Sequence, residues 1–305
     1  MPKSFTAGCY RLKSLAWVTV AYLTALAAAV VVIVSAEFHP VIDTLLADIA
    51  ATLVIFVFGR IFRNASFYDA YWSLAPIVIG LYWMLGINYA DNLAWSQILI
   101  MTLVIIWGLR LTLNWASGWQ GLRHEDWRYV YYRRKSGRLF WLVELVGIEL
   151  VPTIVVFLGC LSLFPILTAE NTSLSLLSAV GILVIVGAIA LETIADLQLQ
   201  RFVEKTADPG QIMQQGLWRY SRHPNYLGEI MFWWGLWLCV PGTDAWRWVA
   251  LSGPLAVTVL FIFVSIPLME KHNKARRTGY GEYTKQVPVL IPGLKKSTSI
   301  KTQPF

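Results

Sequence analysis

The feature that most limits what this chain can fold into is the stretch Leu15–Ala36, which contains no charged side chain. A helix rises ~1.5 Å per residue, so crossing the ~30 Å hydrocarbon core of a bilayer takes about 20 apolar residues. Comparable runs follow at Val41–Gly59, Tyr71–Ile87, Trp95–Ala116, Leu139–Leu167, Leu176–Asp196, Tyr226–Val240 and Trp246–Met269. Lipid offers the backbone no hydrogen-bond partners, so such runs must be helical. The expectation is an all-α, polytopic membrane helix bundle with about eight transmembrane helices. Composition agrees, because 57% apolar and 14% charged residues exclude both a soluble globule and a disordered chain. Val34-Ser35-Ala36 has the small residues of a signal cleavage site, but the preceding apolar run exceeds the ~7–15 residues of a signal core, so the segment is expected to be retained.

Charge sets the orientation. Of the 25 Lys and Arg, all but Arg110 and Arg247 fall in loops on one side of the eight-span arrangement, which predicts that both termini are cytoplasmic. The basic residues are spread through juxtamembrane loops rather than gathered on one soluble face, so no nucleic acid partner is expected. Ser117–Arg138, Leu197–Asn225 and the tail after Glu270 are too long for turns and are the places to look for chemistry. The absence of a repeat argues against an inverted-repeat transporter. Cys9, Cys160 and Cys239 are scattered in apolar surroundings and suit packing, so no disulfide framework and no metal is expected. Short outward loops favour a bacterial inner membrane over the endoplasmic reticulum, where the Asn171 sequon would matter.

An ionised acid at mid-bilayer costs ~2.5–3.5 kcal/mol on insertion scales, so intramembrane acids are functional candidates. Asp48, Asp69, Glu144, Glu149, Glu192, Asp196, Glu229 and Glu270 lie in or beside the apolar runs, as does Arg110. Their number points to a polar cavity, although acids near helix ends also read as meeting water. Glu192 and Asp196 share a helix face, continued by Gln200 and Arg201. The most informative segment is Gly216–Glu229, containing Arg222-His223-Pro224-Asn225-Tyr226. Pro224 suits the first position of a helix, whose open N–H groups beside Arg219 and Arg222 form a phosphate recipe. Asn225 and Glu229 are again four apart, and Tyr226 is placed to stack on a ring. The segment reads equally as an interfacial helix start with basic anchors. Glu270-Lys271-His272-Asn273 and Tyr283, before Pro288 and Pro292, make a structured tail.

These motifs, with Asp69/Trp72, Trp107-Gly108-Leu109-Arg110, Glu125-Asp126 before Arg128-Tyr129, and Asp196/Arg201, resemble the steroid 5-alpha-reductase-like superfamily, in the bacterial branch labelled as a domain of unknown function. The resemblance covers residues 61–292, leaving N-terminal helices in 1–60 and a basic tail in 293–305. It implies a membrane enzyme that uses NADPH to reduce an activated C=C bond in a lipophilic, steroid-like enone. By that likeness Arg110, Arg128, Tyr129, Asp196, Arg201, Arg222, His223, Asn225, Tyr226, Glu229, His272 and Tyr283 are the cofactor-binding candidates. Asp69 and Tyr71 are the candidates for polarising the substrate, with Tyr68 and Tyr82 as other phenols. The cofactor is expected between the Leu197–Tyr226 loop and the tail. The isoprenylcysteine carboxyl methyltransferase-like enzymes share an Arg-His-Pro-x-Tyr run and use S-adenosylmethionine. The basic residues of Arg123–Arg138 and Arg201–Arg222 favour the phosphate-bearing NADPH. A non-enzymatic lipid binder or small transporter is the third reading; in each the partners are the lipid bilayer and a lipophilic small molecule.

Overall fold

The computed structural model describes residues 2–87, 93–169, 175–206, 208, 210–242 and 245–293. The Asn171 sequon and the basic tail beyond Gly293 lie outside the described residues. Among those described, all regular structure is helical: α1 (Pro2–Ser35), α2 (Pro40–Phe62), α3 (Tyr71–Tyr82), α4 (Trp95–Gly118), α5 (Trp127–Ser136), α6 (Phe140–Leu142), α7 (Val151–Cys160), α8 (Leu163–Thr168), α9 (Leu176–Lys205), α10 (Pro224–Leu238), α11 (Ala245–Ala250), α12 (Ser252–Leu260), α13 (Ile266–Arg276) and α14 (Tyr280–Gln286). π-helical turns extend α3 over Trp83–Ile87, lead into α7 over Val143–Leu150, and join α12 to α13 over Phe261–Ser265.

Seven runs among the described residues are long and apolar enough to cross a bilayer: Tyr10–Ser35, Pro40–Phe62, Ala65–Ile87, Trp95–Gly118, Trp127–Cys160, Leu176–Lys205 and Ala245–Arg276. Eight were expected. The difference is α10, which has 15 residues and at ~1.5 Å per residue is shorter than the hydrocarbon core. The fifth run also begins earlier than the sequence suggests. Asp126 caps it by accepting from the Arg128 N–H at 2.8 Å, and the arginine-rich turns of α5 feed directly into the apolar part. Large apolar side chains such as Leu23, Val31, Leu113, Leu183 and Phe263 point outward. This is an integral multi-pass membrane protein, and its outer helical surface is in contact with lipid.

Contacts divide the chain into two units, Met1–Leu174 with Val240–Gly253, and Ser175–Cys239 with Pro254–Phe305. In the first, α1 packs on α2 and α3 on α4 and α7. Ala21 and Ala25 on α1, and Ala47 and Ala51 on α2, are buried. Small residues one turn apart let helices approach where lipid supplies no hydrophobic drive for association. His39 caps α2 through Nδ1, and Pro40 occupies its first turn. In the second unit α9 and α10 are the main pair. Gly181 and Gly235 set their spacing, since a Cβ on Gly181 would stand 2.7 Å from the Gly235 carbonyl oxygen.

Candidate functional site

The second unit folds the Arg222–Tyr226 segment against its own tail. Pro224 starts α10 as its ring geometry demands, and His223 stays outside the helix. Glu270, in the middle of α13, receives three donors on one oxygen: Arg222 Nε at 3.0 Å, His223 Nε2 at 2.8 Å and the Tyr280 hydroxyl at 3.0 Å. Arg222 also donates from one terminal nitrogen to the carbonyls of Thr284 and Val287, and its backbone N–H to Pro288. Ser221 donates to Leu290, and Tyr283 to the Trp218 carbonyl. The tail is thereby tied beneath α10.

A cavity of about 120 Å³ opens inside this frame, lined among others by Arg222, His223, Asn225, Tyr226, Arg277 and Tyr280. His223 and Tyr226 stack with centroids 5.2 Å apart and planes 12° from parallel, giving it a flat aromatic wall. The Arg222 and Glu270 charges offset each other. Arg277 does not share that compensation: no carboxylate among the described residues pairs with it, and burial lowers its pKa. The cavity therefore carries an excess positive charge. Burial, together with the nearby Glu270 charge, pushes Tyr280 up to about 12 and Tyr283 upward as well, so both phenols are donors at neutral pH.

The first unit holds a second cavity of about 510 Å³ between α1, α2 and α3. Its walls are apolar, with Leu26, Val30, Ile33, Leu74 and Val78 among them, while Asp48 and Tyr71 form a polar spot. Tyr71 donates its hydroxyl to Asp48 Oδ1 at 2.6 Å, and both residues are buried.

Sequence reasoning paired Tyr71 with Asp69. The structure separates them: Asp69 Oδ1 accepts from the Tyr129 hydroxyl at 2.5 Å, and Asp69 does not line the cavity. Asp69 lies in the turn that precedes α3, whereas Tyr71 is the first residue of that helix. Arg128 stands beside Tyr129 and makes a bidentate contact with Asp126. Arg110 is half-buried on α4 and lines neither cavity, and Arg201 is exposed at the end of α9.

Of the remaining candidates, Arg222, His223, Asn225, Tyr226 and Tyr283 meet at the second unit's cavity. Asp196 supports it from behind, accepting from the Asn225 amide at 3.2 Å. Glu229 faces into the helix pair and accepts from Trp233 at 2.9 Å, while His272 contacts Arg276 and points away from the cavity lining. The cluster of open N–H groups expected at the start of α10 is reduced, because the Asn225 side chain accepts from the Tyr226 N–H and Pro288 from that of Arg222. Asp48 was read only as one of the intramembrane acids, without its partner Tyr71, and Asn273, Arg277 and Tyr280 were not among the site candidates. A signal for part of this set existed: Met269, Asn273 and Arg277 are spaced four apart, the stripe of one helix face, and His272 falls off it.

Residues 55–287 match a family described as a protein of unknown function, DUF1295. The chain belongs to the DUF1295 family. The matched range takes in the Asp69–Tyr129 group, the motif at Arg222–Tyr226 and the tail that closes on it, and its start at residue 55 follows Asp48. The chain is also similar to "Uncharacterized protein C594.04c" of Schizosaccharomyces pombe, 25% identical over 215 residues that cover 61% of this chain and 62% of that protein. No solved structure matches this DUF1295 chain.

Proposed function

We propose that this protein is a membrane-embedded, NADPH-dependent reductase of an activated C=C bond in a lipophilic enone. The observation that carries the reading is the Tyr71–Asp48 pair set in the wall of an otherwise apolar cavity. Such a cavity takes a lipid-soluble molecule, and a polar spot in its wall orients that molecule's carbonyl. With Asp48 as a neutral acid donating to the Tyr71 oxygen, the single phenol proton is released to bond the substrate carbonyl and stabilise the negative charge that grows there as the β-carbon is reduced. The resemblance to the steroid 5-alpha-reductase-like superfamily supports the same class of reaction.

The second unit's cavity suits part of a nucleotide cofactor. Arg277 offers a guanidinium without a carboxylate partner, a natural match for a phosphate, and the His223–Tyr226 stack offers a face to a ring. NADPH, when bound, supplies the hydride. Asn225, held by Asp196, presents an amide for a carboxamide, and Tyr280 and Tyr283 remain neutral donors at the rim. The excess positive charge favours the anionic dinucleotide over S-adenosylmethionine, whose sulfonium is itself a cation.

The test is calorimetric titration of the detergent-purified protein with NADPH, NADH and S-adenosylmethionine in parallel. Tight binding of NADPH, lost in Arg277→Ala, is the expected result; binding of S-adenosylmethionine alone would overturn the reductase reading.

A further inference from the structure

A second polar feature of the first unit takes no part in the reading above. Glu149 is 0% exposed, and neither of its carboxyl oxygens has a hydrogen-bond partner among the described residues. It lies on the π-helical turn Val143–Leu150 with Glu144, whose Oε2 accepts from Arg60 at 3.0 Å. Both acids converge on the space left by Gly59, where a Cβ would be 3.3 Å from Glu144 Oε1 and 3.8 Å from Glu149 Oε1. Arg60 answers one of the two charges. A second, fully buried carboxylate would stand unanswered, at a large solvation cost, so the cluster is compatible with burial when Glu149 is a neutral acid.

From Glu149 a line of buried hydroxyls leads toward the cavity. Glu149 and Thr153 stand four positions apart on the continuous helical run Trp127–Cys160, which brings them to one face. Tyr68 hydrogen-bonds Thr153 at 2.9 Å, and Thr153 hydrogen-bonds Thr52 at 2.9 Å. Thr52 stands four positions after Asp48 on α2, and Asp48 Oδ1 accepts from the Tyr71 hydroxyl at 2.6 Å. Tyr68, Thr153 and Thr52 are each no more than 2% exposed. Hydroxyls both donate and accept, so each in a chain of them can hand on one proton as it receives another. Two steps, from Glu149 into the chain and from Thr52 to Tyr71, have no direct hydrogen bond among the described residues, and a bridging water at each completes the proposed line.

We propose that Glu149 is a proton store and that Tyr68, Thr153 and Thr52 relay its proton to Tyr71 at the apolar cavity. The identity of the acceptor rests on the reductase reading. Hydride from NADPH leaves the enone as an enolate, and saturation requires one proton at the α-carbon. Tyr71 gives up its hydroxyl proton to that carbon and regains one from the chain. Each hydroxyl behind it loses one proton and gains one, and Glu149 ends as a carboxylate that is reprotonated from water. The charged and titratable groups around Glu149 are Glu144 on its own turn, Arg60 on α2 through Glu144, Tyr22 on α1 and Tyr68 just before α3.

Infrared spectroscopy of the full chain in detergent, after transfer into D2O, tests this without cofactor or substrate. The wild type should show the C=O stretch of a protonated carboxyl group that Glu149→Gln removes and Glu144→Gln retains. The exchange of the Tyr71 hydroxyl, assigned with Tyr71→Phe, should slow about tenfold in Thr153→Val, the scale of one lost hydrogen bond, and recover in Thr153→Ser. Should Thr153→Val fail to fold, Thr52→Val and Glu149→Gln make the same prediction for Tyr71 exchange. A missing Glu149 band, or Tyr71 exchange unchanged by loss of the hydroxyls, overturns the relay. Absence of NADPH binding would count against the reductase reading alone, because no step of the exchange experiment involves the dinucleotide.

Discussion

At the scale of single residues, the phosphate contact that sequence reasoning assigned to Arg222 passes in our proposal to Arg277. Arg222 holds Glu270 and the carbonyls of Thr284 and Val287, so its guanidinium fastens the tail. Arg222→Ala leaves Glu270 without its strongest cation and should destabilise the protein by about 3–5 kcal/mol, the range for breaking a buried pair. Limited proteolysis should then cut sooner between α13 and α14. Arg277→Ala, by contrast, should leave the melting temperature in detergent nearly unchanged while weakening NADPH at least about tenfold, a charge-assisted contact being worth ~1.5–3 kcal/mol. Tyr71→Phe removes the donor to buried Asp48 and is expected to cost about 1–3 kcal/mol in thermal unfolding. It should also abolish turnover of a lipophilic enone without affecting NADPH affinity. Asp48 illustrates why such pairs escape a linear reading. Its partner is 23 positions away on another helix, and nothing local to either residue announces the other.

At the scale of elements, helix periodicity explains both what was legible and what was not. The start of α10 at Pro224 and the shared face of Asn225 with the motif were readable, because proline and a 3.6-residue repeat act locally. Asn273 lines the cavity and its neighbour His272 does not, since a helix turns by about 100° per residue. The close approach of α9 and α10 is a further element-level property. In Gly181→Ala the new methyl would stand 2.6 Å from Cys239 Sγ and 2.7 Å from the Gly235 carbonyl. A loss of about 1–3 kcal/mol in thermal stability is expected, as for other overpacked sites. The docking of α14 should be sensitive to alkali. Tyr280 is raised from its ordinary 10.0 to about 12 by burial and by Glu270. Its contribution is therefore complete below pH 10 and lost as pH rises through about 12. Proteolytic accessibility of the tail should increase over that window, and Tyr280→Phe should remove the tyrosinate absorbance that appears with it.

For the molecule as a whole, membership of the DUF1295 family and the seven apolar helical runs establish a multi-pass membrane protein, with two units each holding a polar arrangement of its own. The sequence by itself determined the solvent and the class of architecture. Long uncharged runs must become helices in lipid, and the charge bias of the loops is the signal for their orientation. It also marked the Arg222–Tyr226 segment and the tail as places to look for chemistry, while leaving open that the segment is an interfacial helix start with basic anchors. Only the tertiary structure decided which acid meets which phenol, which arginine is tied down, and which buried carboxyl lacks a partner. Those outcomes depend on the rotation of each helix about its axis, and rotation is settled by contacts between segments far apart in the chain.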